Sequence, residues 1–318
     1  MYKILALLLF AVQFVHAQEK KVLFVIADGI PESIFLKAPK PAIQQIIDKG
    51  AFLPCYVGGQ RGGVSQSPTI SAVGYNSLLT GTWANKHGVV DNSIKNPNYN
   101  YPTIFKVFKD QYPLKKIGVF STWLDNRTKL VGDGLPVTGN IHVDYHRDGY
   151  ELDTLQFPHD KNAHYIHLID EKVIAEAAQV IKDSAPAMSW VYLEYTDDMG
   201  HRYGNSPQLD TAIAMLDKQI GRLMQAVHVR EKEYNEDWLV IITTDHGRDS
   251  ETGKDHGGQS DSERNTWMVM NKKPNDYALN NRTAIVDIFP TITAFLNISL
   301  PSHIAKGLDG VPLLVTFR

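Results

Sequence analysis

A single cysteine, Cys55, occurs in 318 residues, so no intramolecular disulfide can form. A fold of this size without cross-links must be held by its apolar core, by bound metal, or by both. Cys55 lies in the apolar run 51–57 and reads as a small buried hydrophobe rather than a reactive thiol. The chain also lacks an excess of either charge: 32 basic against 35 acidic residues leave a net charge of −3. That balance excludes a basic nucleic-acid groove and a polybasic membrane-binding surface. Beyond the N-terminus no apolar run approaches the roughly 20 residues a membrane-spanning helix needs. Internal repeats and low-complexity linkers are missing too, so 18–318 reads as one globular domain.

The one apolar run near the N-terminus has the grammar of an export signal. Lys3 supplies a positive start, residues 4–15 are apolar but too few to span a bilayer, and Val15 and Ala17 sit at the −3 and −1 positions of a cleavage site. Residues 1–17 are therefore expected to be a signal peptide cleaved before Gln18, with the mature protein periplasmic or secreted.

Short runs rich in Val and Ile recur at 21–27, 116–121, 189–195, 238–244 and 266–270, and suit strands buried on both faces. Helical patterns fall between them at 41–49, 73–80, 171–183 and 207–227. This alternation predicts a doubly wound α/β fold, a mostly parallel sheet with helices on both faces. In such sheets ligands bind beyond the carboxyl ends of the strands. The segments 91–113 and 138–163, rich in Asn, Pro, Tyr, His and Asp, are expected to be loop insertions over those ends.

Polar residues of one chemical kind gather at the predicted strand ends. Asp28 follows the first strand, Asp197 and His201 stand four apart after the third, Asp245 and His246 close the fourth, and His256 precedes two glycines. Singly, each has a bland reading: Asp28 a turn residue, the Asp197/His201 pair surface decoration, His246 and His256 satisfied polar groups. Ser71 opens a helical run, and on that segment alone an N-cap role is the simpler one. Together they amount to three carboxylates, three imidazoles and one hydroxyl. That donor set suits zinc better than calcium or magnesium, and is large enough for two zinc ions with three protein ligands each. Two metals flanking a phosphoryl group stabilise both the attacking and the leaving oxygen, and a metal on the Ser71 hydroxyl lowers its pKa.

The order Asp, hydroxyl, Asp-x-x-x-His, Asp-His-Gly, His-Gly resembles the alkaline phosphatase superfamily, and within it the type I phosphodiesterase and nucleotide pyrophosphatase group. Ser77-Leu78-Leu79-Thr80-Gly81, His87-Gly88-Val89-Val90-Asp91-Asn92 and Asp309-Gly310-Val311-Pro312-Leu313 extend the resemblance over most of the chain. It implies an alkaline-phosphatase-like fold and hydrolysis of a small phosphate ester through a phosphorylated nucleophile. It places one zinc on Asp28, Asp245 and His246 and the other on Asp197, His201 and His256. The nucleophile lies ten residues before Gly81, at Ser71, with Thr69 a nearby rival. Where phosphodiesterases of the group often carry a phosphate-binding Asn, three residues after the nucleophile, this chain has Gly74; Asn92 and Asn76 are the candidate replacements. Trp123 resembles the aromatic wall used against a leaving group, and Arg127 and Lys129 lie where some monoesterases of the superfamily place cations. Arg61, a third possible phosphate clamp, reads more simply as a solvated loop residue. A diester or pyrophosphate substrate is the favoured expectation and a monoester the alternative. A sulfatase is disfavoured because 71–75 lacks the Pro and Arg of the sulfatase nucleophile motif, and a non-catalytic binding protein because every ligand is present.

Overall fold

The computed structural model describes residues 18–315. The expected signal peptide, 1–17, lies outside them. Eight strands form one sheet: β1 (Glu19–Ala27), β2 (Ala51–Tyr56), β3 (Ile117–Ser121), β4 (Tyr145–Arg147), β5 (Met188–Leu193), β6 (Glu236–Thr243), β7 (Asn265–Met270) and β8 (Thr283–Ala284). Their order is β4-β3-β5-β1-β6-β7-β2-β8. The first five in that row run parallel, β7 runs antiparallel to both β6 and β2, and β8 returns parallel to β2. The expected α/β architecture is therefore present, with its antiparallel pairings confined to one side.

Period-two alternation within β1 shows why the run is apolar throughout. Val22, Phe24 and Ile26 join the core on one face, while Leu23, Val25 and Ala27 join the core on the other. Helices Ser71–Thr80, Ile104–Gln111 and Ile288–Phe295 cover the first face; Pro41–Lys49, His164–Ser184 and Pro207–Tyr234 cover the second. Helix Pro41–Lys49 starts on a proline, and Asp217 of the long helix beside it accepts from the amides of Ala42 and Ile43. Cys55 is fully buried in β2, where desolvation pushes its thiol up to about 12, in keeping with an inert core residue.

Two sequence expectations need correction. Segment 91–113 is not all loop, because Ile104–Gln111 is an amphipathic helix capped by Thr103. Within 138–163, residues Tyr145–Arg147 add an edge strand beside β3. Both corrections arise from pairing with an existing surface, which loop-like composition does not reveal. Among the described residues no helix is long and apolar enough to cross a membrane.

Candidate active site

Strands β5, β1 and β6 are neighbours at the centre of the sheet, and their carboxyl ends carry Asp197, Asp28 and Asp245 respectively. Segments far apart in sequence thus meet because three parallel strands deliver them to one edge. Asp28, Asp197 and Asp245 are all buried, as is His246. His246 Nε2 lies 3.3 Å from an oxygen of Asp28, 3.3 Å from one of Asp245 and 3.9 Å from one of Asp197. Asp197 and His201 share a helix, Tyr195–Tyr203, whose four-residue spacing brings His201 Nε2 to 3.2 Å from Asp197 Oδ2. His256 Nε2 stands 3.1 Å from His201 Nε2, and the His256 ring stacks on that of His246 at 3.6 Å.

Two groups of donor atoms, each within 4.8 Å of one another, emerge from this: Asp197, His201 and His256, and Asp28, Asp197 and His246. The first matches the triad implied by the resemblance. In the second Asp197 stands where Asp245 was expected, although Asp245 Oδ2 is as near His246 as Asp28 is. The decisive detail is that Asp28 Oδ1 and Asp245 Oδ2 are both buried without a hydrogen-bond partner. Orphaned carboxylate oxygens cost several kcal/mol unless something compensates them. With His246 Nε2 within 3.3 Å of both oxygens, a divalent cation with N/O preference fits that need.

The charges these side chains impose on one another tell the same story. Burial opposes protonation of His246, but Asp245, Asp28 and Asp197 outweigh it and raise its pKa to about 9. Burial and the neighbouring Asp28 push Asp245 well above the usual carboxylate range. Asp197 goes the other way: burial would raise it, yet His201, Arg248 and His246 hold it well below that range. His256, desolvated and facing His246, drops to about 4.

Ser71 is the first residue of helix Ser71–Thr80, and Ile70 occupies the cap position without a side-chain bond. The Ser71 hydroxyl is thus not a cap; it lies 3.3 Å from His246 Nε2. Thr69 is otherwise engaged, accepting from Gly257 N and donating to Gly258 O, which braces the loop carrying His256. Asn92 Oδ1 accepts from the Ala72 amide at 2.9 Å, which holds its side chain against the residue next to Ser71. Asn76 is buried in the same helix but about 140° around from Ser71, on another face. Gly74 has a physical reason: a Cβ there would stand 2.8 Å from Asp245 O and 2.9 Å from Asp245 Cβ, so an Asn is sterically barred.

Trp123 sits half-buried at the rim, edge-on to Tyr75 at 6.4 Å. Arg127 does not reach the site as a free cation. Its guanidinium is held by Asp148 at 2.6 and 3.0 Å and by Asp133 at 2.6 Å. Two carboxylates in reach of a π-helical turn outcompete a distant phosphate. Arg127→Ala should therefore leave KM for a phosphate ester within about threefold while costing about 3 kcal/mol of stability. Urea unfolding and steady-state kinetics check both, and a tenfold rise in KM would return Arg127 to the substrate. Lys129 pairs with Asp125, and Arg61 with Asp261.

Sequence reasoning passed over four side chains. The hydroxyls of Tyr75 and Tyr192 both donate to Asp28 Oδ2, which leaves Oδ1 facing the site. Thr196 Oγ1 donates to Asp28 O at 2.6 Å. Arg248 is fully buried against Asp197. Tyr75 was accessible in principle, four residues after Ser71 and so on the same helical face.

The sequence pattern of type I phosphodiesterases / nucleotide pyrophosphatases matches residues 22–291. The chain belongs to this family. Among family relatives, human ectonucleotide pyrophosphatase/phosphodiesterase family member 5 is 26% identical over 239 residues, covering 72% of this chain and 45% of its own length. Murine ectonucleotide pyrophosphatase/phosphodiesterase 5, solved as an inactive threonine-to-alanine form in complex with AMP, superposes with a TM-score of 0.59 at 16% identity, over 89% of this chain and 96% of that one. A 2-O GAG sulfatase superposes with a TM-score of 0.65 at 13% identity, over 94% and 76% respectively. At such identities the solved structures establish the alkaline-phosphatase-like fold. The chain spans less than half the length of the curated relatives it matches. As a member of this family the chain carries its candidate metal-binding groups where the central strand ends meet.

Proposed function

We propose that the chain is a two-zinc hydrolase of phosphodiester or pyrophosphate bonds that works through a covalent phospho-Ser71. The observation that carries this reading is the Ser71 hydroxyl at a helix N-terminus, 3.3 Å from His246, beside the converging donors. Asp28, Asp245 and His246 would hold one ion, and Asp197, His201 and His256 the other. When bound, the ions supply Lewis-acid stabilisation of phosphoryl charge and make hydroxyl and water acidic enough to react near neutral pH.

Ser71 Oγ attacks phosphorus, the bond from phosphorus to the leaving oxygen breaks, and the phosphoryl group remains on Ser71. Water then attacks that phosphorus and returns the serine. The free amides of the first helical turn and the helix dipole favour the negative charge gathered there, and Asn92 Nδ2 adds a donor. Trp123 offers an apolar surface to the leaving group. Cations that could neutralise a second phosphate charge are paired: Arg127, Lys129, Arg61 and Arg248 each face carboxylates. A diester phosphoryl group carries one charge and a terminal monoester two, so this supports the diester. The AMP bound by the murine relative suits a nucleotide as one half of such a substrate. Export to the periplasm or beyond is part of the same proposal, resting on the pattern of residues 1–17.

Turnover of bis(p-nitrophenyl) phosphate is expected to exceed that of p-nitrophenyl phosphate by at least about tenfold in kcat/KM, which corresponds to about 1.4 kcal/mol of transition-state stabilisation. The reverse preference would make the protein a monoesterase on the same metals and nucleophile.

A further inference from the structure

Asp197 belongs to both candidate metal groups, so something must decide which ion it serves. One side chain is placed to do so. Arg248 Nη2 donates to Asp197 Oδ1 and, at 2.6 Å, to Asp197 O. Its Nε donates to Gly29 O at 3.0 Å and its Nη1 to Lys254 O at 2.8 Å. Gly29 follows Asp28, Lys254 lies two residues before His256, and Arg248 itself lies two residues after His246. A single planar fork therefore ties together the segments that carry the six expected Asp and His ligands. Lysine, a point donor with three N–H groups, cannot satisfy these four acceptors.

The surroundings are shaped around that fork. A Cβ on Gly200, one residue before His201, would stand 2.1 Å from Arg248 Cζ, and a Cβ on Gly29 would stand 2.7 Å from its Nη2. Both glycines admit the guanidinium, and Arg248 has no solvent exposure. With Oδ1 of Asp197 engaged by Arg248, Oδ2 is the oxygen left facing His201, at 3.2 Å.

We propose that Arg248 is a positioning residue that assigns Asp197 to the outer metal site with His201 and His256, by occupying the oxygen through which Asp197 would otherwise join Asp28 and His246. The inference rests on the two-metal reading above and concerns only how one ligand is shared. Without the fork, Asp197 Oδ1, already 3.9 Å from His246 Nε2, is free to turn inward, and the outer site keeps two imidazoles in place of three ligands. Partners of this kind around metal ligands change affinity by roughly 10–100-fold when removed.

The test uses the full-length mature protein and zinc alone as ligand. Wild type, Arg248→Lys and Arg248→Met are titrated with zinc against a chromophoric chelator, and kcat and KM for a diester are measured at limiting and saturating zinc. Wild type should bind two equivalents. In Arg248→Lys one equivalent should weaken at least tenfold while the other holds. Its kcat should fall at limiting zinc and recover to within about threefold of wild type at saturating zinc, with KM nearly constant. A general packing defect would not be rescued by zinc in this way. If Arg248→Met fails to fold, Gly200→Ala, which displaces the guanidinium, should weaken the same single equivalent. Unchanged affinity for both equivalents in Arg248→Lys and Gly200→Ala overturns the role given to Arg248 and leaves the two-metal reading intact. A wild type that binds no zinc, or one equivalent, overturns that reading itself.

Discussion

Ser71→Ala is expected to lower kcat on phosphate diesters by about 10³-fold or more while zinc content and thermal stability stay near wild type. The hydroxyl is the attacking atom, so its loss removes the covalent route outright. Structurally it contributes little. Ser71 is the first residue of its helix and does not cap it, and among the described residues its side-chain hydrogen-bond partner is His246 at 3.3 Å. Alanine is the better helix former at that position. Thr69→Ala provides the contrast. Its hydroxyl bonds to Gly257 and Gly258, next to His256, so its removal should loosen that loop and weaken metal binding without abolishing turnover at saturating zinc. Trapping with a radiolabelled diester should give a phosphorylated wild type and no label on Ser71→Ala. An inactive Thr69→Ala beside an active Ser71→Ala would falsify the assignment of the nucleophile.

The parts of this site that could be read from the sequence are those that strand ends impose. Parallel strands buried on both faces appear as unbroken apolar runs, so their ends, and Asp28, Asp197 and Asp245 upon them, are marked by the sudden change to polar residues. What could not be read was lateral order. Nothing in the runs states that β5, β1 and β6 are adjacent, and only that adjacency brings the three aspartates together. Arg127 shows the opposite failure. Its place in the chain fits a phosphate clamp, yet Asp133 and Asp148, brought close by a π-helical turn and the segment after β4, claim it first. Gly74 looked like a missing phosphate ligand, when the cause is contact between its helix and the Asp245 backbone, a distance that no one-dimensional pattern contains. Arg248 was hidden for a related reason. A charged residue next to an Asp-His-Gly turn reads as solvated, and its burial depends on the glycine at 200.

Removing metal should abolish activity, restorable by zinc, and should make stability depend on pH in a direction set by His246. In the metal-free site its pKa is raised to about 9 by Asp245, Asp28 and Asp197 acting against burial, compared with an ordinary value of 6.5. A group whose folded pKa is raised stabilises the fold fully below its unfolded pKa and ceases to do so as pH climbs through the folded one. The window is thus pH 6.5 to about 9, and the contribution lost across it is roughly 3 kcal/mol. His201, raised by Asp197, acts in the same direction. His256 is lowered to about 4, so its effect falls below pH 6.5 and does not oppose this. Asp197, held low, loses its contribution only in acid. The chelated protein should therefore show a Tm that falls by roughly 5 °C from pH 6.5 to 9. With zinc present the cation takes the place of the shared protons, and binding tightens as competing protons leave, so Tm should hold or rise over the same range. Calorimetry at matched ionic strength, with and without zinc, measures both slopes. If the chelated protein keeps a flat Tm between those pH values, the three carboxylates do not bear on His246 as their distances imply, and the packing of ligands around it must differ.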